Sequence, residues 1–179
     1  MYLFYVKRSG SNFAYGTSSL GEGYLFNIWR PDARNLVPCG LSIVPYGVWW
    51  GFHHLHVFSN RDYAMLTIYD GDRLIHRSGI FPRYFRFPFM ARDDLQIGDT
   101  WTHPDYRGRG LATFALQKIV EAYSKSDRTF WYIVEQENSA SIHVAEKVGF
   151  ELFGRGIRAK RFGIGILGAL VIQQIVAFR

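Results

Sequence analysis

The apolar positions along this chain change period several times, and each change predicts an element. Leu3 to Lys7 reads as a short first strand. Residues from about 10 to 60 are irregular and very aromatic, with turn signals at Ser9-Gly10-Ser11-Asn12 and Gly21-Glu22-Gly23. Inside that stretch Pro45 is placed to open a helix over Tyr46 to Phe58, with Val48, Trp49, Phe52 and Leu55 on one face. Tyr63 to Tyr69 and Arg73 to Ile80 are strand-like runs around Asp70-Gly71-Asp72, a hairpin signal. A loop from Phe81 to Arg92 follows, and Asp94 to Thr102 reads as another strand.

The second half is more regular. From Gly110 to Tyr123, Leu111, Phe114, Ala115, Ile119, Val120 and Tyr123 recur at helical spacing. Phe130 to Val134 is a dense β-forming run. Asn138 is a natural N-cap for a short helix whose face is Ile142, Ala145 and Val148. Gly149 then supplies the left-handed position after the helix, and Phe150 folds back on the last turn. Phe150 to Gly156 and Phe162 to Val176 finish as strands. The order predicts a mixed α/β (α+β) fold, a sheet with helices on its faces.

At 179 residues the chain suits a single domain over 1–179. With 48% hydrophobic and 17% aromatic residues it has ample material for a core. Cys39 is its one cysteine, which excludes an internal disulfide and cysteine-rich metal sites and suits a reducing compartment. The longest apolar run, Phe162 to Ile172, has eleven residues including three glycines. A membrane span needs about 20. With no recognisable secretory signal, a cytoplasmic protein is expected. The net charge of +6 favours anionic partners: a phosphorylated cofactor, nucleic acid or an acidic surface.

The informative stretch is Thr100-Trp101-Thr102-His103-Pro104-Asp105-Tyr106-Arg107-Gly108-Arg109-Gly110-Leu111-Ala112, where a strand ends, a glycine-containing turn follows and a helix begins. Unpaired N–H groups and the positive dipole end of the helix, with Arg107 and Arg109 beside them, make such a turn a phosphate cradle. A Walker loop is absent, since neither Gly-Lys-Ser nor Gly-Lys-Thr occurs. A dinucleotide fingerprint would need glycine where Thr113 stands, although Glu135 sits loosely where a ribose-binding acid belongs.

Arg107-x-x-Gly110-x-Ala112, preceded by Pro104-x-Tyr106, resembles the acetyl-CoA pyrophosphate loop of the GNAT superfamily of N-acetyltransferases. Asn138-Ser-Ala-Ser-Ile-His-Val-Ala-Glu-Lys-Val-Gly-Phe150 resembles the superfamily's Asn-x-x-Ala/Ser…Glu-Lys-x-Gly-Phe helix. The two motifs cover Asp94 to Gly154, about a third of the chain. The resemblance implies a mostly antiparallel sheet of about six or seven strands with a splayed central pair, and about four helices. It implies that the pantetheine arm of acetyl-CoA lies between the splayed strands beside Thr100, Trp101 and Thr102. It places the pyrophosphate on Gly108, Arg109, Gly110, Leu111, Ala112 and Thr113, with Arg107 adjacent and Asn138 contacting the arm. No metal is implied.

The implied reaction is attack of a neutral primary amine on a thioester, which needs a base, an oxyanion donor and an acid for the leaving thiolate. Many members of the superfamily carry a tyrosine four residues before the Gly-Phe pair; here Ala145 stands there. Ser141 resembles the serine of branches lacking that tyrosine, and equally suits a local helix-start hydroxyl. Asp99 is the leading candidate base, with Asp94, Gln96, His76 and His103 behind it, and a chain of waters is an alternative. His53-His54-x-His56 lacks a third ligand of recognisable spacing and reads as an aromatic helix face.

Arg83 and Arg86, set between aromatic residues in the loop from Phe81 to Met90, suit a phosphate-bearing or planar acceptor, or the loop simply plugs the core. Arg155, Arg158, Lys160 and Arg161 read as a solvated hairpin or a patch serving the cofactor's phosphates, rather than a nucleic-acid surface. The expected partner is a small-molecule amine, guessed to be an amino sugar or sugar nucleotide of surface-polysaccharide biosynthesis, with the protein a monomer or homodimer. A protein or peptide acetyltransferase and a non-catalytic CoA-binding regulatory module are the alternatives.

Overall fold

A computed structural model describes residues 1–10, 20–21, 23–32, 34–161 and 164–176. Eight strands and three α-helices follow one another as β1 (Tyr2–Arg8), β2 (Tyr24–Trp29), α1 (Ile43–His54), β3 (Ala64–Asp70), β4 (Arg73–Pro82), β5 (Leu95–Thr102), α2 (Leu111–Tyr123), β6 (Thr129–Glu135), α3 (Ser139–Lys147), β7 (Glu151–Arg161) and β8 (Ile164–Ile175). A single turn of 3₁₀ helix, Pro104–Tyr106, joins β5 to α2. The strands form one sheet in the order β2-β3-β4-β5-β6-β1-β7-β8. Among the described residues all neighbours are antiparallel except β5 and β6.

Alternation along the strands builds a core on each face of the sheet. Ile68, Ile80, Leu95, Ile97, Phe130, Tyr132 and Val134 pack with Leu111, Phe114, Leu116 and Ile119 of α2 and Ala145 of α3. The opposite residues Met65, Phe81 and Trp131 meet Tyr46 of α1 and an aromatic loop carrying Tyr84 and Phe87. The α3 termini behave as the sequence predicts. Asn138 Oδ1 accepts the Ser141 N–H at 3.1 Å, and Gly149 sits at φ 83°. The Gly149 and Phe150 N–H groups then donate to Glu146 and Ala145 carbonyls at 2.9 and 3.0 Å, closing the helix in a Schellman motif.

Several expectations need correction: the sheet has eight strands rather than six or seven, with three α-helices rather than four among the described residues. The helix near Pro45 begins at Ile43 and ends at His54, with proline in a first turn that lacks N–H partners anyway. Its predicted face is also displaced: Val48 and Leu55 are 51% and 77% exposed, while Tyr46 is buried. The reason is tertiary, because Trp49 and Phe52 pack on Phe58, Phe81 and Tyr84. Phe81 belongs to β4 rather than to a loop. The strand β2, not predicted, is an edge strand paired with β3 alone; Leu25 and Phe26, on opposite faces, are both exposed. Ser11, Asn12, Glu22 and Phe162 lie outside the described residues, as does the Arg161 side chain.

Candidate active site

The strands β5 and β6 begin as a parallel pair and then part. Leu95, Gln96 and Ile97 pair with Phe130, Trp131 and Tyr132, and the ladder stops there. The facing edges of Gly98–Thr102 and Ile133–Glu135 are left without a strand partner. Immediately above the split the register of β5 against β4 slips: Gly79 faces Gly98 and Arg77 faces Trp101, so Asp99 and Thr100 together oppose Ser78. Such a bulge reverses the alternation of side chains. Asp99 takes it up at φ 47°, a left-handed conformation that aspartate tolerates better than most residues. As a result Asp99 faces one side of the sheet and Thr100 the other.

Each side carries a cavity at the split. On the α2/α3 side a cleft of about 450 Å³ is lined by Thr100, Trp101, Thr102, Arg107, Gly108, Gly110, Leu111, Ala112, Thr113, Tyr132 and Ser141. The structure therefore gathers nine of the eleven expected cofactor residues, all but Arg109 and Asn138, and adds Ser141. Arg109 turns away, donating to the Tyr24 hydroxyl at 2.8 Å and the Asp105 carbonyl at 3.0 Å. Asn138 is engaged in capping α3.

The cleft fits a pyrophosphate. The first helical bond of α2 runs from the Phe114 N–H to the Gly110 carbonyl, so the N–H groups of Leu111, Ala112 and Thr113 have no carbonyl within the helix. Gly108 and Gly110 stand at φ 76° and 77°. A Cβ built on either would meet no protein atom within 4 Å. Glycine is thus required here by backbone conformation, and the space over it is open.

Tyr132, which the sequence reading passed over as a strand residue, forms the inner wall of the cleft. It is 3% exposed, and burial pushes its phenol above the ordinary value although Thr100 and Ser141 hydroxyls bond to it. The phenol so raised stays protonated where it faces the cleft. Its signal in the sequence was weak: Phe130, Tyr132 and Val134 share the face toward Ala145, the position where a helical tyrosine is missing. Behind Thr100 the chain of polar groups continues. Ser78 Oγ lies 3.2 Å from Thr100 Oγ1, and His76 bridges Ser78 Oγ at 3.0 Å and Thr102 Oγ1 at 2.8 Å. His76 is fully buried, and burial lowers its pKa to about 3. It is a neutral structural bridge, removed from the role of base.

On the α1 side a cavity of about 340 Å³ is lined by Tyr46, Trp49, Phe81, Tyr84, Arg86, Gln96, Asp99 and Arg158, among others. Arg77 grips Asp99 with two bonds of 3.1 and 3.2 Å, and the Tyr46 hydroxyl donates to it at 2.7 Å. Burial, then the Asp99 carboxylate, raises the Tyr46 phenol. Burial pulls Arg77 down, but the Asp99 bond and charge outweigh it and hold Arg77 above its ordinary value.

The other candidate bases have partners of their own, as Asp99 does. Asp94 accepts from the Ala91 and Thr129 N–H groups and from Trp131 Nε1 at 2.8, 3.1 and 2.9 Å. Gln96 donates to the Ile97 carbonyl at 2.8 Å. His103 Nδ1 caps the 3₁₀ turn through the Asp105 N–H. Arg83 is exposed and outside the cavity, whereas Arg86 lines it. Arg158 lines this same cavity rather than the cleft, so the basic run on β7 does not serve the cofactor's phosphates as one. His56 lies beyond the end of α1 at φ 58° and contacts Arg61, so it shares no helical face with His53.

The sequence profile of the Acetyltransferase (GNAT) family matches residues 24–150. No curated protein matches the chain. Among solved structures, a GNAT-family protein from Novosphingobium aromaticivorans superposes with a TM-score of 0.51 at 17% identity, over 84% of this chain and 59% of that one. A tandem GNAT protein from the clavulanic acid biosynthesis pathway gives 0.57 at 15% identity, over 84% and 50%. AAC(6')-Iy, solved with the bisubstrate analogue CoA-S-monomethyl-acetylneamine, gives 0.54 at 14% identity, over 76% and 98%. At these identities the likeness is one of fold, and the chain spans about half to three fifths of the length of the first two.

Proposed function

The chain belongs to the GNAT acetyltransferase family, and from that premise we propose that it moves an acetyl group from acetyl-CoA to the primary amine of a small acceptor. The observation that carries this reading is the split between β5 and β6 with a cavity on each face of the sheet. Acetyl-CoA supplies the activated acetyl group. The N–H groups of Gly108 to Thr113 hold its pyrophosphate, with Arg107 adding positive charge. The free edge of β5 at Thr100, Trp101 and Thr102 hydrogen-bonds amides as it would another strand, and Asn138 sets the helix that closes the far wall.

The acceptor's amine enters from the α1 side. Asp99 takes a proton from the ammonium, the amine nitrogen bonds to the acyl carbon, and the carbon–sulfur bond breaks. N–H groups on the unpaired edge of β5 are placed to stabilise charge on the acyl oxygen. Tyr132, with Ser141 beside it, gives a proton to the departing sulfur, and the surplus proton of the new amide nitrogen passes to water, from which the phenol is restored. The acceptor of choice is an amino sugar or sugar nucleotide, whose ring would lie against Trp49 and Tyr84.

The test is release of free thiol from acetyl-CoA over a panel of small amines and a basic peptide. Turnover on small amines is expected, with kcat/KM lowered about 10²-fold or more by Asp99→Asn, a change the left-handed position tolerates. Calorimetric binding of CoA without turnover on any amine would instead favour a CoA-binding module, the reading that Ala145 suggests. A preference for the peptide would move the assignment to protein acetylation.

A further inference from the structure

The cavity on the α1 side has an uneven charge that constrains what enters it. Its lining contributes the guanidinium groups of Arg86 and Arg158 and, among the described residues, a single carboxylate, Asp99. That carboxylate is already matched by Arg77. Arg86 and Arg158 both lie close enough to Tyr84 to act on its phenol, so they stand at one common wall. The rest is apolar ring surface from Trp49, Phe81 and Phe87. A plain cationic amine drawn into such a space meets net positive charge, which opposes its entry. At about 340 Å³ the cavity is at the small end of ligand sites.

We propose that the acceptor is a small amine that also bears an acid group, a carboxylate or a phosphate, held by Arg86 and Arg158 while its amine faces Asp99 at the split. This rests on the acetyltransferase reading above and adds the substrate class. The acid group cancels the charge of the two arginines and gives them a planar or tetrahedral oxygen set to grip. With the acid group on the arginines, the amine is the end left to Asp99. Arg158 is the residue to test, because it comes from β7, carries nothing assigned to the chemistry and is largely exposed.

Matched acceptors separate the two acid types: glucosamine 6-phosphate against glucosamine, and several amino acids against their amides, each assayed for thiol release. In at least one series the acid-bearing member is expected to exceed its neutral partner at least tenfold in kcat/KM. The Arg158→Gln variant is expected to erase most of that preference while leaving the neutral partner nearly unchanged. Phosphate preference alone points to a sugar phosphate, and carboxylate preference alone to an amino acid. Equal or better use of the neutral amines would overturn the proposal, as would a preference that survives Arg158→Gln. Calorimetry with CoA separates this failure from the larger one: if CoA does not bind, the acetyltransferase reading itself falls, and if it binds while neutral amines win, only the acid clamp does.

Discussion

Tyr132 and His76 stand at opposite ends of one line of hydroxyl contacts, and each has its own measurable consequence. Replacing Tyr132 by phenylalanine removes the phenol hydrogen and keeps the ring against Phe150. The expected loss is about 10²-fold in kcat with CoA affinity little changed, because the group acts only as sulfur departs. Ser141→Ala is expected to lower kcat less. Equal turnover in Tyr132→Phe would remove the phenol from the chemistry. His76 bears on stability. Its folded pKa of about 3 lies below the ordinary 6.5, so the unfolded chain binds the proton first. Stability is complete above pH 6.5 and falls as pH drops toward 3, by up to about 1.4 kcal/mol per unit. Urea midpoints across that window should show the slope, and a His76→Gln variant should flatten it. Neither role was legible in the sequence. Tyr132 meets Thr100 only where two strands distant in sequence part, and Asp99 reaches its cavity only through a bulge that no run of residues announces.

Among the elements, the turn into α2 was the most legible, because glycine spacing, arginines and a following apolar helix agree on one structure. There the backbone sets the expected result. Gly110 at φ 77° leads directly into the helix, so Gly110→Ala strains the turn and Gly110→Val also fills the approach to the N–H groups. CoA affinity should fall about tenfold for alanine and further for valine, read by calorimetry, with the folded state retained. An unchanged affinity would argue against the cradle. The helices α2 and α3 and the β3–β4 hairpin were equally readable from caps and periodicity. By contrast α1 and β2 were not. The buried side of α1 is chosen by Phe81 and Tyr84, some thirty residues further on, and β2 presents apolar residues to both faces of an edge.

At the scale of the molecule, the strand order matters most. Ladders join β1 to β6 on one side and to β7 on the other, making β1 a central member of the sheet. Packing there is tight enough to specify glycine. A Cβ at Gly156 of β7 would lie 2.0 Å from the Val171 carbonyl oxygen of β8 and 2.9 Å from the Phe4 ring of β1. Gly156→Ala is expected to destabilise by about 1–3 kcal/mol or more, visible as a lowered denaturant midpoint; an unchanged midpoint would show that the hairpin shifts freely. None of the described helices is long and apolar enough to cross a membrane. The sheet order was beyond the reach of single-sequence patterns, since they report which residues form strands and not which strands become neighbours.

The central place of β1 bears on how the protein is made. Its ladder partners, Thr129–Glu135 and Glu151–Arg161, emerge from the ribosome far later, after a wait of roughly ten seconds at about 5–20 residues per second. Through that interval Leu3, Phe4, Tyr5 and Val6 lack both of the strands they pair with in the folded sheet. Translation therefore delivers this strand well ahead of the two that seat it, and the middle of the sheet can close only once β7 has been made.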